Sequence, residues 1–318
     1  MPEYSRQNVQ FACKQESAEG GTAIALAAAD ANLKILDDFS WEPDLPFYPV
    51  NGVAGEAGSW PGVSGGIRSA VIKISVPLIG SGTPATPPSW GKLLKDVAGF
   101  VEAIVALTSV SYTYSKAGFT KALTCILNID GKQHMIHGAR ARSVEIVGNN
   151  GEYLILRVEF LGVYNEPSDV AAFASVSYES TKAIAILGGN FLIDSYAMKF
   201  KSFGLKVENK SEIIPACGST RPAGAFSCHA APGVITGSID PNQDAAATYN
   251  FWNKITTNNE GALVLPVAGA AGNIITITAP KTQYSKGAPG ARGHSLLTNL
   301  DLQLNRSSGD DALVITQT

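Results

Sequence analysis

Apolar and polar residues alternate with a period of two along most of this chain. In the stretch RSAVIKISVPL, Ala70, Ile72, Ile74 and Val76 alternate with the mixed set Val71, Lys73 and Ser75, which is the pattern of a β-strand with one buried face. The same pattern recurs in LTCILNI, QHMIHGARARSVEIV and YLILRVEFLGVY. We therefore predict a β protein whose strands each bury one face.

Turn signals separate these strands. Asp130-Gly131 is a dipeptide suited to a type I′ hairpin turn, and Asn149-Asn150-Gly151 marks a second turn. Because short turns of this kind join antiparallel strands, this part of the chain is predicted to form an antiparallel meander.

A helical period interrupts the strands in PPSWGKLLKDVAGFVEAI. Trp90, Leu93, Leu94 and Val97 recur at helical spacing, and Ser89 is a candidate N-cap that follows two prolines. The pattern predicts one short amphipathic helix that closes one face of the sheet, an α+β or sandwich-like arrangement.

The order of elements recurs in the second half of the chain. Strand patterns lie in FLIDSYAMKFKSFGLKVEN and AGAFSCHAAPGVITGSID, a helix pattern in AATYNFWNKITTN, a hairpin around Ala270–Asn273, and a closing strand in HSLLTNLDLQLNR. We interpret this as a degenerate internal duplication. The predicted fold class is mainly β (α+β), with tandem antiparallel β-sandwich or barrel modules, each flanked by a short helix. The predicted divisions are an N-terminal arm and entry segment (1–42), a first module (43–170), a linker (171–190) and a second module (191–318).

Residues 43–66 form a stretch in which proline and glycine are too frequent for a helix or a long strand. A loop of this length is uncommon unless it has a function. Its aromatic residues Phe47, Tyr48 and Trp60 indicate docking against another surface.

Composition excludes some classes of function. The chain has 318 residues, a formal net charge of -3 and a pI near 5.8, so it lacks the basic footprint of a tight nucleic-acid binder. Charged residues make up only 16%, which leaves weakly polar surface that neighbouring subunits could cover. The four cysteines are widely spaced and form no CxxC pair, which favours a reduced compartment. The N-terminus lacks a signal-peptide pattern, and no apolar run is long enough to span a bilayer, so we expect synthesis in the cytoplasm.

Candidate chemistry is sparse. His134 and His137 lie three residues apart, so on a regular strand they point to opposite faces and need a bulge to share a metal ion. Cys228 and His229 are neighbours that also face apart on a strand, and no orienting acid is identifiable. We predict no catalytic, cofactor-binding or metal-binding residue.

Two further motifs are interpreted as structural. The glycines of GAPGARG (287–293) lack the order of a phosphate-binding loop, which favours an exposed turn. Arg140 and Arg142 are separated by one residue, the spacing of the solvated face of a strand.

Three stretches together resemble the tail tube proteins of long-tailed bacteriophages. They are GSGTPATPPSWGKLLKDVAGF, NIDGKQHMIHGARARSVEIV and LRVEFLGVYNEPSD, and the resemblance is strongest between Gly80 and Pro167. It is closest to large members of the family, and it implies β-sandwich or barrel modules without catalytic residues or cofactors.

The resemblance also implies a function and partners. Tail tube proteins assemble into rings that stack into a hollow tube, through which DNA leaves the capsid without specific binding. Two modules in one chain would suit a trimeric ring with pseudo-six-fold symmetry, with a hexamer as the alternative. The implied partners are further copies of the chain, a tape-measure protein, and tail terminator and tip proteins. The implied location is the virion tail.

For the contacts between stacked rings we predict Phe47, Tyr48 and Trp60, together with the N-terminal arm, because both segments are too irregular to serve a core. Two alternatives stay open. One is a carbohydrate-binding or adhesin-like β protein displayed on a virion. The other is a hydrolytic enzyme, which requires that Cys228 and His229 converge with an acid.

Overall fold

The structure is a computed structural model that describes residues 8–17, 22–50, 60–187, 191–218 and 223–318. It is mainly β, with 54% of residues in strands and 6% in helices, which confirms the predicted fold class. In chain order the first-half strands are β1 (Val9–Gln15), β2 (Ser40–Asp44), β3 (Phe47–Tyr48), β4 (Val63–Ser64), β5 (Ser69–Pro77), β6 (Phe100–Val105), β7 (Ser109–Tyr114), β8 (Leu123–Ile129), β9 (Lys132–Asn149) and β10 (Ile155–Tyr164).

The remaining strands are β11 (Ser168–Asp169), β12 (Leu192–Ile193), β13 (Tyr196–Ala197), β14 (Phe200–Pro215), β15 (Ala225–Pro241), β16 (Glu260–Val267), β17 (Ile275–Arg292), β18 (Ser295–Asn305) and β19 (Val314–Gln317). The α-helices of the described residues are α1 (Gly91–Leu94) and α2 (Phe251–Thr256), and single 3₁₀ turns cover Ala28–Ala31 and Lys116–Phe119. Neither α-helix has the length or the apolar run that a membrane-spanning helix needs.

The two halves pair their strands in the same order. In the first half the antiparallel order is β2–β5–β10–β9–β8–β1. In the second half it is β14–β15–β18–β17–β16–β12. In each half, a hairpin after the helix (β8–β9 and β16–β17) is followed by a strand (β10 and β18). That strand returns to pair with a strand that precedes the helix (β5 and β15). This is the arrangement that an internal duplication leaves.

The halves nevertheless share one sheet and one core. Strand β14 pairs with β9 and so joins the halves in a sheet of 17 strands. A single buried cluster runs from Phe11 through Phe160 and Phe203 to Ile315. Burial of apolar surface on this scale is the main stabilising contribution to a fold. The predicted boundaries at 170 and 190 therefore separate topological units that share a core, and the duplication stays a hypothesis.

Local signals account for the confirmed elements. Asp130 and Gly131 both have positive φ, 50° and 88°, as a type I′ turn requires. Strand β5 buries Ala70, Ile72, Ile74 and Val76, which are the residues whose alternation predicted it. The hairpin of β16 and β17 and the closing strand β18 also lie where they were predicted.

Four predictions about local structure were wrong. The predicted helix in 87–104 is limited to α1. Gly99, at φ 88°, has a non-helical backbone conformation, and residues 100–105 after it form strand β6. The N-terminal arm contains β1, which pairs with β8 and buries Phe11. The loop 43–66 begins inside β2 and contains the β3–β4 hairpin. The GAPGAR residues extend β17, and only Gly293 and His294 form the turn.

Candidate assembly surfaces

One contact between the two halves is a strand seam, formed by β9 and β14. Ser202–Glu208 of β14 pairs antiparallel with Ser143–Asn149 of β9. This part of β9 lies beyond the point where β8 ends, since the β8–β9 pairing stops at Leu123 and Ala139. Strand β14 of the second half therefore occupies the edge that β8 leaves open.

The second half has the corresponding edge. Strand β16 ends its pairing with β17 at Glu260 and Gln283, whereas β18 continues beside β17 as far as Arg292. Between Tyr284 and Arg292, no strand among the described residues pairs with β17 on the β16 side. This open edge is the counterpart of the edge that β14 covers on β9.

The turn geometry shows which backbone groups the open edge of β17 presents. Arg292 pairs with Ser295 across a two-residue turn whose first residue, Gly293, has φ 59°. Residues that flank such a turn form a hydrogen-bonded pair. Because hydrogen-bonding direction alternates along a strand, the backbone groups of Gly287, Pro289 and Ala291 point away from β18. Pro289 has no N–H, which is tolerated at an unpaired edge.

The other end of the chain also has an open edge. Strand β2 pairs only with β5 among the described residues, and β2 is the counterpart of β14. It carries Pro43, again a residue typical of edge strands. One molecule therefore presents an open β17 edge and an open β2 edge, whose counterparts within the chain are joined.

The outward face of the shared sheet carries paired charges. Lys73 lies 2.8 Å from Glu42, Arg142 lies 3.3 Å from Glu159, and Arg157 lies 3.4 Å from both Glu145 and Asp38. The pairs Lys206–Glu208 and Lys281–Glu260 continue the pattern on later strands. The hydrogen bond from Lys73 lowers the pKa of Glu42, and the bond from Lys206 lowers the pKa of Glu208. These basic groups are thus partly neutralised within the face.

The predicted stacking residues lie on the β3–β4 hairpin. We call residues 45–50 and 60–68 the aromatic hairpin. Phe47 and Tyr48 form β3, and Trp60 precedes β4, with exposed fractions of 63%, 56% and 50%. The ring of Phe47 packs on Gly62 and that of Tyr48 on Gly66, so the aromatics brace the hairpin and still face solvent. A large exposed apolar patch indicates an interaction site.

A second exposed apolar surface was missed from the sequence. The tip of the β6–β7 hairpin carries Ile104, Val105 and Leu107, which are 51%, 55% and 91% exposed. The β-branched residues after Gly99 favour a strand and could have predicted this hairpin. Residues 87–104 were interpreted as a helix instead. The hairpin is held through β7, which pairs with the C-terminal strand β19.

The histidine and cysteine candidates are held apart. The ring of His134 packs at a tilt against Trp41, with ring centroids 5.2 Å apart, and burial lowers the pKa of His134. His137 contacts the amide of Asn165 at 2.7 Å. Cys228 is buried while His229 is exposed, and burial raises the pKa of the Cys228 thiol to about 12. Within the described ranges, no three His, Cys, Asp or Glu side chains are grouped so as to hold a metal ion.

The prediction that Arg140 and Arg142 share a solvated face was wrong. Arg140 is 1% exposed, whereas Arg142 is exposed. The register of β9 against β10 shifts between the pairs Glu159–Ser143 and Phe160–Ala141, and this bulge turns the two arginines to different environments. The pKa of buried Glu16 is raised, chiefly by desolvation, while Arg140 acts to lower it.

Comparison of the chain with protein-family models and with curated proteins returns no match.

Proposed function

We propose that this chain is the main subunit of a bacteriophage tail tube, a structural virion protein that assembles into stacked rings around a channel for DNA. The observation that supports the proposal is the seam between the halves together with the two open edges that correspond to it. The chain joins its own halves through β9 and β14, and within the described residues no strand pairs with the counterpart edges on β17 and β2. Copies that repeat this seam form a chain of halves, and such a head-to-tail contact closes into a ring when its rotation allows.

Each ring of three copies would contain six similar halves, which suits pseudo-six-fold symmetry better than a hexamer of double-length chains. The open edges would then become bonds of the ring, which removes the aggregation hazard of unpaired strands. Pro289 deletes one outward-facing backbone donor from the β17 edge, so the seam between copies is weaker than the seam within the chain. This difference favours a separate subunit before assembly starts.

The charge pattern suits a DNA conduit. A wall of unpaired cations would bind phosphate and release counterions, which would hold DNA in place. On the outward face of the shared sheet, Lys73, Arg142 and Arg157 are each matched by a carboxylate. With this face toward the channel, DNA would pass without strong attraction. A tape-measure protein, which sets tube length, and terminator and tip proteins at the tube ends are the further partners of this proposal.

Electron microscopy of the purified chain tests the proposal. The expected result is rings or tubes with a central channel, and sedimentation that shifts with protein concentration. The alternative proposal, a carbohydrate-binding protein, is favoured by the three exposed aromatic side chains of the aromatic hairpin, which suit stacking on sugar rings. A particle that stays monomeric at high concentration, and whose tryptophan fluorescence changes with polysaccharide, would replace the tail tube proposal by that alternative.

A further inference from the structure

The second half folds one hairpin over the first half. The β14–β15 hairpin extends past the seam, and we call residues 209–218 and 223–233 the covering hairpin. At its base, Asn209 donates its amide N–H groups to the carbonyls of Ala98 and Ala141 at 3.2 and 3.0 Å. Tyr114 donates its hydroxyl to Asn209 at 2.8 Å and accepts the N–H of Gly233 at 3.0 Å.

The covering hairpin continues across β9 and β10. A Cβ at Gly138 would lie 2.9 Å from the Cα of Ser227, so the two backbones are in close contact. Val163 of β10 packs with Ala223, Ala225 and Ile213 in a small buried cluster. The far end reaches the base of the aromatic hairpin, where Arg68 donates its N–H to the carbonyl of Ala223 at 2.8 Å.

The aromatic hairpin is the counterpart of the covering hairpin. The aromatic hairpin connects β2 to its sheet neighbour β5. The covering hairpin is formed by the ends of β14 and its sheet neighbour β15, beyond the point where β14 stops pairing with β9. The covering hairpin has buried side chains such as Ala225 and Cys228. The aromatic hairpin instead exposes about half or more of Phe47, Tyr48 and Trp60.

The second half has a surface that corresponds to the covered part of the first half. Counted along β5, the first residue pair with β10 contains Val163; counted along β15, the first residue pair with β18 contains Gln303. Val163 and Gln303 therefore hold corresponding places in the two halves. The surface around Gln303 carries amide side chains, and we call Asn258, Gln283, Gln303 and Asn305 the amide patch. Asn305 donates to Gln283 at 3.3 Å, Gln303 donates to Asn305 at 3.1 Å, and Gln283 donates to Asn258 at 3.3 Å. All four side chains are exposed or half-exposed.

We propose that the aromatic hairpin of one copy lies over the amide patch of a second copy in the same ring, in the place that the covering hairpin takes on the first half. The inference rests on the proposed function, because it assigns the partner of a surface within the ring. It differs from the sequence-based prediction, which placed Phe47, Tyr48 and Trp60 between rings. The tyrosine hydroxyl and the indole N–H are polar groups on apolar rings, and the amide oxygens of the patch are acceptors for them.

Cross-linking between two differently labelled chains tests this contact. In a Cys217→Ser background, which removes the exposed thiol, one chain carries Val63→Cys on the aromatic hairpin and the other carries Gln303→Cys on the amide patch. After mixing and mild oxidation by a small disulfide, we expect a covalent dimer from the mixture. The matched control, each chain oxidised alone, is expected to give far less.

A second variant separates contact within a ring from contact between rings. Loss of one buried aromatic anchor weakens a single contact roughly 30-fold. A ring of three copies has three such contacts, so we expect Trp60→Ala to raise the midpoint concentration for ring formation by roughly 150-fold. The control Tyr178→Ala, at a side chain exposed to a similar degree, is expected to leave that concentration unchanged. Single rings that form normally but fail to stack, without the mixed cross-link, would overturn the inference and leave the proposed function intact. Absence of rings from the unmodified chain would instead overturn the proposed function.

Discussion

The open edge of β17 allows the seam between copies to be weakened or strengthened without disturbing the subunit. The backbone groups of Pro289 and Ala291 point away from β18. A substitution at either position therefore leaves the hydrogen bonds between β17 and β18 in place. Ala291→Pro deletes a donor from the open edge, and Pro289→Ala restores one. Proline is tolerated in strands at such edge positions. We therefore expect both variants to fold, with thermal unfolding close to that of the unmodified chain.

The expected change follows from one ladder hydrogen bond per seam. A backbone hydrogen bond contributes about 1 kcal/mol net, and an acceptor left unpaired in the interface adds to its loss. A loss of about 1.4 kcal/mol lowers the association constant of one seam about tenfold. A closed ring of three copies has three such seams, so its overall constant falls about 1,000-fold. Because the midpoint concentration of a trimer varies as the inverse square root of that constant, Ala291→Pro should raise the midpoint about 30-fold.

Sedimentation velocity over a concentration series measures that midpoint, and Pro289→Ala should lower it by a comparable factor. Pro87→Ala serves as the control, because it removes an exposed loop proline that lies in neither open edge. If Ala291→Pro and Pro289→Ala both assemble at the same concentration as the unmodified chain, the β17 edge is not a ring contact. Copies of the chain would then not be joined by a seam like that between β9 and β14.

Three further predictions concern the subunit itself. Only Cys217 of the four thiols should react with an alkylating reagent in the native state, because the other three are buried and burial raises the pKa of Cys13 to about 11; mass spectrometry before and after unfolding checks this. Gly138→Ala should lower the unfolding free energy measured in urea by about 1–3 kcal/mol, because a φ of 58° is strained for alanine and the new Cβ would press on Ser227. The control is Gly131→Ala, which also has a positive φ but open space around its Cβ, so it isolates the steric part of the loss. Desolvation opposes the hydrogen bonds of Asp240, but these bonds prevail and lower its pKa. The contribution of Asp240 to stability is therefore present above its unfolded-state pKa and is lost as pH falls through the lower, folded-state pKa. Asp240→Asn should unfold at a lower temperature than the unmodified chain at pH 7, and the difference should be smaller at pH 2.

The aromatic hairpin was interpreted as a loop because its strands are short and its composition is irregular. Its strands are only two residues long and, among the residues that the structure describes, pair only with each other. Proline and glycine flank them on both sides, and local composition therefore predicts irregular chain. The structure instead gives the segment a defined base, where Gly65 donates its N–H to the carbonyl of Pro46 at 3.3 Å.

Arg140 and β1 show where local pattern failed. The environment of Arg140 depends on a bulge and on the covering hairpin, which comes from a part of the chain about 90 residues later. Strand β1 forms because β8 offers it an edge, as the pairs Phe11–Leu127 and Cys13–Cys125 show. Sequence spacing alone cannot reveal a partner at that distance along the chain, because pairing between distant strands depends on long-range topology.

The sequence by itself determined the alternating strands, the turn at Asp130-Gly131 and the order of elements in each half. These features depend on the period of side-chain burial and on backbone angles, which neighbouring residues set. The tertiary structure alone decided that β14 closes the open edge of β9, that the halves share one core, and that the β2 and β17 edges have no partner strand in the described part of the chain. Edges become paired or open only when distant strands meet, and hydrogen bonding between strands then fixes the register.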